Sequence, residues 1–79
     1  MEFHEKATAI RSATRRLGEA RSAHRIAAKV HNDAKVWRRY ASEDERLWEL
    51  ETRIKLENAM CEVKAIEAEL RRIKLAKLH

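Results

Sequence analysis

Arg11, Arg15, Arg25 and Lys29 are the residues of this sequence whose type and spacing point most directly to a contact. At 100° per helical residue they fall within ~40° of one line, with Arg21 flanking it. A row of guanidinium and ammonium groups attracts anions. It can lie along a nucleic-acid backbone, where phosphate contacts position a protein without reading sequence. It can equally meet an acidic protein face, or simply be a solvated helix face. The row contains no acid, whereas the second half of the chain intersperses acids among its bases. That contrast favours a contact surface. No basic-region, zinc-finger or helix-turn-helix pattern accompanies it, so sequence-specific reading is not expected.

A second group gathers near the middle of the chain: Trp37, Arg38, Arg39, Tyr40 and Trp48. Trp, Tyr and Arg are the types most enriched in binding hot spots. If the chain turns between them, they meet at one tip and offer a partner-binding site. The plainer alternative is that the two Trp cover the last layer of a bundle.

Other chemistry is poorly supported. His24 and His31 stand seven apart, about 10.5 Å along one helix face. A single metal ion needs ligands about 2 Å away, from i,i+4 positions or from different helices. The Glu-x-x-His pairs of bundle di-iron sites are absent, since Arg21 precedes His24 and Ala28 precedes His31 by three. No metal or other cofactor is expected, and both histidines are placed at the edge of a helical seam. Serines and threonines (Ser12, Ser22, Ser42, Thr8, Thr14, Thr52) fall on helices or at a cap, with no cleft to orient a nucleophile. Phosphate-cradling loops need glycines, and there is one. Neither an enzyme nor a small-molecule substrate is expected.

The elements that position these residues are helices. The chain has 79 residues, one Gly and no Pro, and Ala, Leu, Glu, Lys and Arg dominate it. In the first half, Ile10, Ala13, Leu17, Ala20, His24, Ala27, Val30, Ala34, Trp37 and Ala41 recur three and four apart and read as a seam. In the second, Leu56, Ala59, Val63, Ile66, Leu70 and Ile73 do the same. Leu47, Leu50 and Ile54 precede them with a shifted phase, which predicts a local change of supercoil. Glu49–Arg53, Glu51–Lys55 and Glu67–Arg71 are expected to pair on the exposed faces.

Ser42-Glu43-Asp44-Glu45 has the form of a capping box, with three acids in the first turn of a helix. Arg38 and Arg39 suit the last turn of the helix before it. These signals predict an all-α, two-helix antiparallel hairpin as a single domain over 1–79. Helix 1 runs about 2–40, the turn about 41–42, and helix 2 about 43–78. One continuous helix is the alternative, because no Gly or Pro enforces the turn. His31-Asn32-Asp33 marks a weaker interruption, and Gly18 sits within the first arm.

Two helices bury one narrow seam, so completion by dimerisation or by a partner protein is expected. Residues 1–41 carry ten Lys or Arg against four acids, and residues 42–79 eight against nine, so the first half is +6 and the second −1. The function expected is that of a small non-enzymatic interaction protein: an adaptor, structural or inhibitory accessory factor. It would engage a larger macromolecule through the basic face and the aromatic turn. The alternative is a non-sequence-specific nucleic-acid binder. A role on a membrane surface is disfavoured, because an Ala seam offers too little apolar area to insert. The lone Cys61 suits a reducing, cytoplasmic setting. The first residues carry no signal-peptide pattern, and no stretch is apolar enough to span a bilayer.

Overall fold

The structure is a computed structural model that describes residues 2–37 and 42–77, and of Trp37 the backbone only. It contains helix α1, Phe3–Trp37, and helix α2, Glu43–Leu75, packed along each other as an antiparallel hairpin. The molecule measures 60 × 14 × 12 Å. Its radius of gyration is 17.8 Å. A compact domain of this length would have about 11.6 Å. The hairpin is therefore a rod with a single seam. α1 continues without a break through His31-Asn32-Asp33. Good helix formers surround that tripeptide, and Ala34 packs directly after it.

Each end of the rod is held by a specific polar contact. At the turn, Ser42 is the N-cap of α2, and its amide donates to Glu45 Oε2 at 2.8 Å, completing the capping box. Glu43, Asp44 and Glu45 fill the first turn, where the helix dipole favours negative charge. At the open end, Lys6 Nζ donates to the carbonyl oxygens of Lys74 (2.8 Å) and Ala76 (2.9 Å). One ammonium thus satisfies carbonyls at the C-terminus of α2, where a helix leaves acceptors unpaired and the dipole is negative.

The seam is stricter than its apolar residues alone suggest. Ala13, Leu17, Ala20, His31 and Ala34 are buried on α1, with Ile10, His24 and Ala27 half-buried between them. These positions alternate three and four apart without exception from 10 to 34. His31 therefore takes the place expected of Val30, which is 38% exposed.

On α2 the same heptad extends backwards from Leu56 through Thr52 and Glu49, both buried. Leu47, Leu50 and Ile54 are 52%, 42% and 48% exposed, so the shifted phase does not face the partner helix. The reason lies on α1. Its heptad has no matching shift, so a change of phase on α2 would slide α2's apolar residues off a straight row of alanines. Glu49 is consequently buried in the seam, where its spacing suggested an exposed face.

Three contacts fix the register. Leu17 and Ala20 cluster with Val63 and Ile66, with Leu70 packed against them. His31 reaches Thr52. Arg16 bridges to Glu69. Carried along the heptads, this register sets Ala13 opposite Leu70, Leu17 opposite Ile66 and Ala20 opposite Val63. Further along, it sets Ala27 opposite Leu56 and Ala34 opposite Glu49. A small residue on α1 repeatedly faces a larger one on α2, which lets the backbones approach while the seam stays filled.

Gly18 lies on the outer side of α1, and a Cβ built there meets nothing within 4 Å. Its φ is ordinary for a helix. Gly18→Ala should therefore stabilise the hairpin by about 1 kcal/mol through helix propensity alone. A thermal melt followed by circular dichroism should rise by several degrees. An unchanged or lower midpoint would contradict an unstrained, outward-facing Gly18.

Candidate interaction surfaces

The heptad divides the rod into two flanks and two outer faces. Arg16 and Glu69 meet at 2.7 Å on one flank, and their side chains remain 43% and 38% exposed. The hydrogen bond from Arg16 is the main cause that holds the Glu69 carboxyl below the usual carboxylate range. A lowered carboxylate pKa adds stability above its unfolded value, and that stability is lost as pH falls through the folded one. The pair thus supports the hairpin at neutral pH and fails in acid. It is solvent-accessible, so salt screens it.

Further along this flank lies a groove of about 350 Å³ lined by Ala23, Ile26, Ala27, Val30, Thr52 and Lys55. Ile26 is 66% exposed on its rim. Trp48 occupies the same heptad position as Lys55, one turn pair earlier, and is partly exposed. It therefore shares the flank with the groove. The side chain of Trp37, and Arg38, Arg39 and Tyr40, lie outside the described residues, so Trp48 is the member of the expected aromatic tip whose surroundings are known.

The opposite flank is basic. Arg11, Arg15, Arg21, Arg25 and Lys29 are all exposed. Arg25 Nη2 donates to Ser22 Oγ at 3.1 Å, an exposed contact within α1. The acids of α1 (Glu5, Glu19 and Asp33) share one heptad position, and it is on the groove side. α2 extends the basic flank. Arg21 lines a shallow depression of about 270 Å³ with Leu17, Glu67, Leu70, Arg71 and Lys74. Arg46 and Arg53 repeat the heptad position of Lys74 towards the turn, both exposed. The cations expected on one helix thus belong to a surface built from two.

Between the flanks sits a buried polar layer that periodicity alone placed at the edge. His31 is 3% exposed, with Nδ1 3.1 Å from Thr52 Oγ1. The Thr52 hydroxyl donates to the Glu49 carbonyl at 2.9 Å. A hydroxyl has one hydrogen, so Oγ1 must accept from His31, and Nδ1 must carry a proton. A strict count of three and four from Ile10 would have found His31. The weighting of apolar types over position obscured it.

No helix among the described residues is long and apolar enough to cross a membrane. Comparison with protein-family models, curated proteins and solved structures finds no match.

Thr52→Val removes the Oγ1 acceptor of the buried His31 Nδ1–H and should cost about 1–3 kcal/mol. Replacing both partners, His31→Leu with Thr52→Val, should recover that loss, because no polar group is then left unsatisfied. Chemical denaturation of the two variants measures both effects. A neutral Thr52→Val would show that the layer is not formed as described.

Proposed function

We propose that this chain is a non-enzymatic helical interaction protein, completed by a second copy or a partner protein, that holds an acidic face of a larger macromolecule against its basic flank. The observation that carries this reading is the run of exposed cations along one side of α1. Arg11, Arg15, Arg21, Arg25 and Lys29 share one side, and Glu19 and Asp33 border it one turn from Arg15 and Lys29. Solvation alone needs charge but not an excess of one sign along one side. A face on which exposed cations outnumber acids is attractive to anions and repels other basic surfaces. The rigid rod spaces these cations over roughly 27 Å along α1. Trp48, on the other flank, is the candidate for a second, less polar contact.

A protein with an acidic surface is the leading partner. A nucleic-acid backbone is the alternative, favoured by the way Arg71 and Lys74 of α2 line a depression with Arg21 and widen the basic surface. The two readings separate experimentally. The full chain is used to capture partners from cells after nuclease treatment, beside a variant with Arg11, Arg15, Arg25 and Lys29 all changed to Gln. The proposal expects capture of protein that survives nuclease and is lost in the variant. If capture instead needs intact nucleic acid, direct titration with a mixed-sequence duplex should show affinity falling steeply with salt. Equal capture by the wild type and the variant would remove the basic flank from the account, and loss on Trp48→Ala alone would move the site to the other flank.

A further inference from the structure

The outer face of α2 carries a pattern that neither the seam nor the basic flank uses. Leu47, Ile54, Cys61, Ala68 and Leu75 are spaced by seven and form one column on the side away from α1. Leu47, Ile54 and Leu75 are 52%, 48% and 82% exposed. Such a column is one of the two rows that a two-stranded coiled coil buries as its seam. It has no counterpart within the chain, because α1 already occupies the opposite face of α2.

The charges beside the column are sorted along its length. Before Cys61 they are all acidic: Glu43, Asp44, Glu51 and Glu57. After it they are all basic: Lys64, Arg71 and Arg72. A face that is acidic in one half and basic in the other is complementary to itself when turned end for end. Two parallel copies would set acid beside acid and base beside base. Two antiparallel copies, related by a two-fold axis at Cys61, set Glu51 beside the second copy's Arg72 on one side of the column and Glu57 beside its Lys64 on the other. They also set Leu47 against the second copy's Leu75, and Ile54 against its Ala68. The second of these pairs a large residue with a small one, as the inner seam does.

The surface available fits this use. The chain exposes 6360 Å². A compact monomer of this mass exposes about 5,000 Å². The excess, roughly 1,400 Å², is more than the ~800 Å² per partner that a standard interface buries.

We infer that the outer face of α2 is an isologous homodimer interface, in which two copies pack α2 antiparallel about Cys61. This deepens the assembly part of the proposed function, and names its occupant as a second copy of this chain. It leaves the α1 row of Arg11, Arg15, Arg25 and Lys29 outward on both copies, so its failure and that of the basic flank show in different experiments.

Light scattering coupled to size exclusion tests the inference on the full chain. The wild type should have twice the 9.3 kDa chain mass. Ile54→Glu should run as a single chain with its helical circular dichroism retained, since Ile54 lies outside the hairpin seam. Glu51→Arg and Arg72→Glu should each loosen the dimer several-fold, because the two-fold axis makes every altered pair count twice. Combining them should restore the wild-type affinity. A wild-type mass of one chain, or of anything but two, overturns the inference. So does a dimeric Ile54→Glu, or a double reversal weaker than both single changes.

Discussion

Everything in this hairpin depends on one row of positions along α1, three and four apart from Ile10 to Ala34 without a break. Alanines hold half of it, and two of them, Ala13 and Ala34, are completely buried. Small side chains in an unbroken row make a straight, shallow track. A helix packed on that track gains most by following it along its whole length, since interiors are close-packed and voids are costly. α2 does follow it, although its own apolar residues change phase near Ile54. The track therefore decides which α2 residues are inside, and the hydrophobicity of α2 does not.

That decision has a cost and two consequences. The cost is a seam that buries Glu49, Thr52 and His31 in the half near the turn while leucines and isoleucines face outwards. The first consequence is a hydrogen-bonded layer, His31 to Thr52 to the Glu49 carbonyl, that fits only one register. Sliding by one heptad would leave buried polar groups without partners. Polar layers of this sort are best attested as devices that specify pairing. The second is that the outside of α2 keeps an apolar column with oppositely charged halves. Stability lost inside the hairpin is available to be regained by assembly.

Much of this was legible in the residues. The two helices, the N-cap at Ser42 and the capping box follow from propensity, patterning and dipole chemistry that act locally. So does the basic row, because charges on a helix need no tertiary information to be sorted by angle. Lys6 was not legible: its ammonium sits on the far end of α2, and only the register reveals that. Val30, Leu47, Leu50 and Ile54 were placed inside because apolar type was weighed above strict spacing. In a large core that weighting succeeds. In a two-helix rod with one seam, geometry admits two positions in seven, and the remaining apolar residues are left outside whatever their type.

The central claim is that the strict heptad, and not the apolar content of α2, sets the packing. Nuclear Overhauser spectra of the uniformly labelled chain test it most directly. The account predicts cross-peaks between the His31 ring and the Thr52 methyl group, with none between the Val30 and Ile54 methyl groups. Strong Val30–Ile54 contacts, with His31 giving none to Thr52, would contradict it.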